Sequence, residues 1–341
     1  MRRALRMLAT ATLPFAAACD GGPFDTGEPL EPIAHTFPSL DIAAFDEEYS
    51  ECQSWTLEND APLYVNAVDM AAGPGWHHSN WMYVGENLYD GPDGTWACNT
   101  RGYNELEAGL AGGVLFAQST QSVAETQQFP PAHALIVPER SRVVAKVHLV
   151  NASETALETA ITLTLHVVAE EDVVTRLRPF VTSYLPLALP PQEKSVFSST
   201  CDLVSPNSDD PLDFGIYYVL PHYHGWGTSY FLRATNASGT FTVYDEEHTT
   251  GSGDGWGRMF DPPVDLTGVT SMEFGCRYHN TTDSPIYYGN AEGEMCTALA
   301  YSNDNRRWAG GVLNGPNMVA GTDGEGATIY TAPCQMTRLG G

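Results

Sequence analysis

Short β-branched and aromatic runs, punctuated by Gly and Pro clusters, recur along most of this chain, and no long helical period interrupts them. They include 63–68, 113–117, 142–150 and 161–168, and then 215–224, 240–244, 272–278 and 295–301. Strands joined by turns satisfy such a pattern, and long helices do not. The 341 residues are 43% hydrophobic and rich in Gly, Pro, Tyr and Trp, which supports an all-β fold class. A Pro-Pro punctuation at 190–191 divides the runs into two series of similar length. We therefore expect two tandem β-sandwich or jelly-roll units, at 49–190 and 198–338, each large enough to bury its own core.

Upstream of them, Arg2, Arg3 and Arg6 precede an apolar run from Leu8 to Ala18, and three alanines precede Cys19. This reads as a signal peptide over 1–19, too short to span a bilayer. The small residues before Cys19 resemble a bacterial lipobox, with Ala16 in place of the usual leucine. Lipidation at Cys19 is the expectation, with an ordinary cleaved signal as the alternative. The chain would then be exported to the bacterial cell envelope and touch a membrane only through that anchor. Residues 20–48, rich in Gly, Pro, Asp and Glu without a sustained period, read as a flexible acidic tether.

The formal net charge of −26 comes from 42 acidic against 16 basic residues. Such a surface repels phosphate backbones, which excludes nucleic acid as a partner. Of 7 cysteines, setting Cys19 aside leaves an even number in an exported chain, which implies a disulfide framework. Connectivity is not readable from sequence alone. The pairing expected here is Cys52 with Cys98, Cys276 with Cys296, and Cys201 with Cys334.

Four local patterns offer metal ligands. In Pro221-His222-Tyr223-His224, strand alternation sends His222 and His224 to one face, although His-x-His alone is a weak signal. In Glu294-Met295-Cys296, alternation puts the thioether of Met295 on the face opposite Cys296; alone, such a methionine reads as core. Two imidazoles and a soft thioether suit copper better than zinc, magnesium or calcium.

His77 and His78 follow Gly73-Pro74-Gly75-Trp76. Adjacent side chains diverge on a regular strand, so they share a metal only where the backbone bends; two solvent-facing histidines are the equal alternative. In Arg142 to Val150, the apolar face is Val143, Ala145, Val147 and Leu149. His148 therefore points with Lys146 away from the core, toward solvent or a cleft.

Taken in order, these pieces resemble the copper type II, ascorbate-dependent monooxygenases, the family of peptidylglycine alpha-hydroxylating monooxygenase and dopamine beta-hydroxylase. That family has a His-His pair, a later histidine in a Val-His-Leu/Tyr strand, then His-x-His, then Glu-Met-Cys. Here these are His77-His78, Val147-His148-Leu149, His222-Tyr223-His224 and Glu294-Met295-Cys296. The resemblance implies two jelly-roll domains facing a solvent-filled cleft. His77, His78 and His148 would hold an electron-supplying copper, and His222, His224 and Met295 the copper that meets oxygen.

It further implies two copper ions per chain, ascorbate or another external one-electron reductant, O2, and hydroxylation of a C–H bond in a small-molecule substrate. The cysteine after the methionine pairs in the family with one a strand earlier, which matches Cys296 with Cys276. Peptide-amidating members carry an arginine where Leu220 stands and a tyrosine where Leu299 stands. This turns the expectation from peptide C-termini toward a neutral or aromatic substrate, in an apolar pocket near Trp226 and Tyr230.

His35, His133, His166, His248 and His279 lie outside any such motif and read as structural or exposed. The sequence holds no His-Glu-x-x-His, no Gly-rich phosphate loop and no Gly-x-Ser-x-Gly. Alternatives to the enzyme are a copper-binding or copper-sequestering surface lipoprotein that lacks turnover, and a metal-free adhesive or carbohydrate-binding β-sandwich.

Overall fold

A computed structural model describes residues 30–118, 122–204, 212–248, 257–289 and 293–339. The signal peptide, Cys19 and the first part of the expected tether lie outside the described residues. The chain is all-β. The strands of the first half are β1 Ile33–Thr36, β2 Leu40–Ile42, β3 Asp46–Glu48, β4 Glu51–Thr56, β5 Leu63–Ala72, β6 Trp76–Val84 and β7 Gly94–Ala97. After a short helix α1, Glu105–Ala111, come β8 Gly113–Ala117, β9 Ala124–Gln128, β10 His133–Val137, β11 Arg142–Asn151, β12 Leu157–Thr159, β13 Ile161–Val168 and β14 Thr175–Tyr184.

The second half continues with β15 Ala188–Leu189, β16 Glu193–Asp202, β17 Gly215–His222, β18 Gly227–Asn236, β19 Gly239–Glu247, β20 Arg258–Asp265 and β21 Ser271–Asn280. It ends with β22 Ile286–Tyr287, β23 Thr297–Ser302, β24 Arg307–Val312, β25 Met318–Thr322, β26 Thr328–Thr331 and β27 Gln335–Leu339.

One 11-stranded sheet spans both halves in the order β1-β13-β5-β10-β14-β23-β17-β20, with β9, β24 and β27 attached. A 6-stranded sheet built on β7-β4-β11-β6-β8 shares a core with its first part, and a 6-stranded sheet β19-β18-β21-β16-β26-β25 shares a core with its second. The halves meet where β14 pairs with β23, Phe180 opposite Ala300. Phe180, Tyr184, Leu187 and Leu189 already pack in the second core. Packing therefore changes over along β14, before the Pro-Pro punctuation at 190–191 expected to mark the boundary.

Residues 30–48 are not a free tether. β1 pairs with β13, β2 with β12 and β3 with β11. Phe37 and Ile42 are 1% and 2% exposed. These short strands lack an alternating pattern of their own, but the edges of β13 and β11 supply the hydrogen-bonding template. Burying two such side chains contributes roughly 1.5–3 kcal/mol each.

Disulfides join Cys52 to Cys98, Cys201 to Cys334 and Cys276 to Cys296, the expected pairs. Such a framework belongs to an exported chain in an oxidising compartment. Among the described residues, no helix is long and apolar enough to cross a membrane.

Candidate metal centre

His77 and His78 sit in β6 beside β11, and the register between these strands supplies the bend that an adjacent pair needs. Val147 faces Ser79 and His148 faces His78, but Leu149 then faces Trp76, so His77 is the extra residue of a β-bulge. A bulge re-aims one side chain, and here it brings His77 round to join its neighbour. The ligand nitrogens of His77, His78 and His148 all lie within 4.8 Å of one another. Behind them Ser79 is locked in the core: its Oγ accepts from the indole of Trp81 at 2.9 Å and its N–H donates to Gln118 Oε1 at 3.1 Å.

His148 leaves the apolar face of β11, as alternation requires, yet it is only 5% exposed. It is covered by ligand-type groups rather than by solvent. Its Nε2 lies 2.6 Å from Glu47 Oε1, and its Nδ1 lies 3.1 Å from His78 Nε2. A carboxylate only accepts, so Nε2 carries the proton and Nδ1 presents its lone pair to the cluster.

The second set is built where β17 ends. His222 closes the strand and His224 follows it, the rings 5.2 Å apart between centroids. Between them Tyr223 turns the other way into the second core, 2% exposed. His224 Nδ1 lies 2.8 Å from the Gly293 carbonyl, which places the proton on Nδ1 and the lone pair on Nε2.

Glu294, 0% exposed, clips this turn to the Met295 segment. Its Oε2 accepts from the N–H of His224 at 2.9 Å and of Met295 at 3.1 Å, and its Oε1 accepts from the N–H of Trp226 at 2.8 Å. The Met295 carbonyl in turn accepts from Tyr278 Oη at 2.7 Å. Cys296 is held to Cys276 on β21. Met295, half-buried, is thus fixed at the backbone beside His224.

The two sets adjoin. The ring of His78 lies 5.5 Å from that of His222 and 6.1 Å from that of His224, between centroids. Burial drives His77, His78, His222 and His224 toward their neutral forms, and neighbouring rings add to the cost of a proton. His77 is pushed down to about 4 by burial and then by His148 and His224. His222 is pushed down to about 3 by burial and then by His224 and His77. His78 falls well below its ordinary value, and His224 is lowered despite the Gly293 hydrogen bond. Neutral imidazole is the form that ligates a metal.

A cation fits what these residues leave unsatisfied. His77 Nδ1, both ring nitrogens of His222 and His224 Nε2 are buried without a hydrogen-bond partner; the Gln118 carbonyl lies near His222 but outside bonding geometry. Each unmade bond costs about 1–3 kcal/mol. A metal ion at each set would engage one nitrogen of each of these three rings, and the second nitrogen of His222 would keep its proton.

Sequence reasoning missed Glu47, hidden in the expected tether, and gave Glu294 no role although it stands beside Met295. It also placed Tyr230 near a substrate pocket. Tyr230 is instead 0% exposed, its hydroxyl 2.9 Å from Thr182 Oγ1 in the second core. Leu220 and Leu299 face each other across β17 and β23, 2% and 4% exposed, in the first core.

The remaining histidines stay apart from the cluster. His35 stacks on Trp55 at 4.4 Å, His133 approaches the Pro131 carbonyl, His166 pairs with Asp69 at 2.7 Å, His248 bonds Tyr244, and His279 is exposed on β21.

No family model matches the chain, and no curated protein matches it. Solved structures with a similar arrangement of strands include the major capsid protein P2 of bacteriophage PM2, at 6% identity and a TM-score of 0.31, covering 80% of this chain and 97% of that one. Another is from Sulfolobus turreted icosahedral virus, at 10% identity and a TM-score of 0.21, covering 77% of this chain and 59% of that one. Likenesses of this degree bear on neither ligand nor activity.

Proposed function

We propose that this chain is a copper-dependent monooxygenase. It would hold one ion through His77, His78 and His148 and another through His222, His224 and Met295. The reaction would be hydroxylation of a C–H bond in a small substrate, with O2 and electrons from an external reductant such as ascorbate. The observation that carries the reading is the convergence of imidazoles from both halves, with four buried ring nitrogens left without partners. Copper is the metal that nitrogen donors and a thioether favour together. When bound, it supplies one-electron redox chemistry and the activation of O2.

The chain's own residues prepare that chemistry. Glu47 holds His148 with its Nδ1 lone pair turned inward, and the Gly293 carbonyl does the same for Nε2 of His224. Glu294 keeps the His224 turn and the Met295 segment together. Burial keeps His77, His78, His222 and His224 neutral, so protons compete poorly for those ligand positions. The 5.5 Å between His78 and His222 leaves a short path for electrons between the two sets. The disulfides fit an exported enzyme, and lipidation at Cys19 would tether it to the cell envelope.

A second reading, copper holding without turnover, is favoured by Leu220 and Leu299. They stand packed in the core where amidating relatives carry polar substrate contacts. Reconstitution with copper, followed by ascorbate-driven O2 consumption over a panel of small C–H substrates, separates the two. The enzyme reading expects close to two copper ions per chain and a hydroxylated product that disappears in Met295→Ile. Stoichiometry near zero, or product formation untouched by Met295→Ile, sinks it; tight copper without product leaves the holding role.

A further inference from the structure

Five of the 16 basic residues gather at one end of the long sheet, in a chain whose net charge is −26. β14 begins with Arg176 and Arg178, and the parallel β24 is entered through Arg306 and Arg307, with Phe180 level with Trp308. β27 returns antiparallel and sets Arg338 opposite Trp308. Strand register and alternation therefore set Arg176, Arg178 and Arg338 on one face of the sheet, with Arg307 on the other. Arg178 pairs with Ser302 and Ser183 with Thr297, the partner of His222. The cluster thus stands about 17 Å along the sheet from the histidines, at roughly 3.3 Å per residue.

The carboxylates present pair with only two of the five. Asp304, 4% exposed, is saturated: it accepts from Arg338 Nε and Nη2 at 3.0 and 2.8 Å and from the Trp308 indole at 2.6 Å. Glu170 bonds Arg176 at 2.6 Å in a solvated pair, where an ion pair is weak. Among the described residues, Arg178, Arg306 and Arg307 make no ion pair. An unpaired guanidinium is unusual on a surface with so large an excess of acid.

Two of the five, Arg176 and Arg178, line a cavity of about 410 Å³ together with Thr175, Asn303, Asp304 and Asn305, with Ile136 and Val174 as an apolar lip. Asn303 Oδ1 accepts the Gly215 N–H at 2.7 Å, which leaves its amide N–H groups as donors. Guanidinium, amide and hydroxyl donors around a concave site match a tetrahedral oxyanion, and the lip accommodates a small organic group attached to it.

We infer that this pocket binds the phosphate group of a small phosphorylated molecule, with Arg178 as the principal contact. The same group could reach it on a free compound or on a lipid headgroup. The site is independent of the copper reading.

The test is calorimetric titration of the full chain with inorganic phosphate and with glycerol phosphate. Sedimentation with phosphatidylcholine vesicles, with and without phosphatidic acid, forms the second arm. Saturable binding that weakens with added NaCl is expected, reduced about tenfold or more in Arg178→Gln and partly restored in Arg178→Lys. Glu170→Gln frees Arg176 and should tighten binding severalfold, which keeps the inference testable if Arg178→Gln folds poorly. Binding of the soluble phosphates identifies a free ligand, and binding confined to phosphatidic acid vesicles identifies a headgroup. No saturable binding in either arm, or binding indifferent to both Arg178→Gln and Glu170→Gln, overturns the inference.

Discussion

Glu47 Oε1 lies 2.6 Å from His148 Nε2, across 101 residues of sequence, and it fixes which nitrogen of that imidazole faces His77 and His78. Partners of this kind set ring orientation and ligand basicity, and removing one typically lowers metal affinity 10–100-fold. Glu47→Ala should therefore weaken copper binding at the first site by about that factor, while Glu47→Gln, which can still accept through its amide oxygen, should lose less. Chelator competition on the reduced, copper-loaded protein reads the difference. Equal affinities in all three proteins would show that the Glu47 contact is incidental.

Glu294 has a different task. Its carboxylate satisfies backbone N–H groups of His224, Trp226 and Met295, while burial raises its pKa to about 7 against their pull. Glutamine has one accepting oxygen, so in Glu294→Gln an amide NH2 must face at least one of these donors. A buried donor left unpaired costs about 1–3 kcal/mol. We expect that loss in urea unfolding, together with a drop in copper bound at the second site and little change at the first. A variant of wild-type stability carrying both ions would contradict the clip.

Parts of this arrangement are legible in the sequence, because they depend on local periodicity. Alternation places His148 opposite Val147, sets His222 and His224 against Tyr223, and separates Met295 from Cys296. The Gly-Pro-Gly before Trp76 signals the bend that becomes the bulge at His77. What is hidden depends on contacts far apart in the chain. β14 joins β23 more than a hundred residues away, and nothing local marks that one sheet runs through both halves. Glu47 and Phe37 lie in a Gly/Pro/acidic segment with no period of its own, so their roles appear only once β11 and β13 are in place. Nor does the spacing of the motifs indicate that the ring of His78 touches the second ligand set.

The depressed histidines make the metal-free protein sensitive to acid in a definite direction. His77, His78, His222 and His224 all have folded pKa values below 6.5, so below that pH the unfolded chain binds more protons and stability falls as pH falls. Each histidine contributes up to about 1.4 kcal/mol per pH unit between 6.5 and its folded value. For His77 that window ends near pH 4, and for His222 near pH 3. Glu294 acts oppositely: raised to about 7, it contributes stability at low pH that is lost as pH rises from its unfolded value of 4.5. The histidines outnumber it, so the urea midpoint should fall from pH 6.5 to pH 4.5, and less steeply in His222→Phe. A flat profile would mean that these rings are solvated.

The bulge at His77 depends on the glycine two residues before it. Gly75 adopts φ +82°, and a Cβ there would lie 3.3 Å from Leu157 Cδ1 and 3.5 Å from the Val150 carbonyl. The Gly75 carbonyl also accepts the Val150 N–H at 2.8 Å, which ties the turn to β11 just past His148. A side chain in this conformation costs roughly 1–3 kcal/mol. Its relief requires the turn to shift, and His77 and His78 would move with it. Gly75→Ala should therefore lower stability by that amount and cut copper capacity at the first site while sparing the second. Gly85, at the other end of β6, meets nothing within 4 Å, so Gly85→Ala should leave copper binding at wild-type level. Equal copper capacity in the two variants would mean that the bulge geometry does not govern how His77 and His78 share a metal.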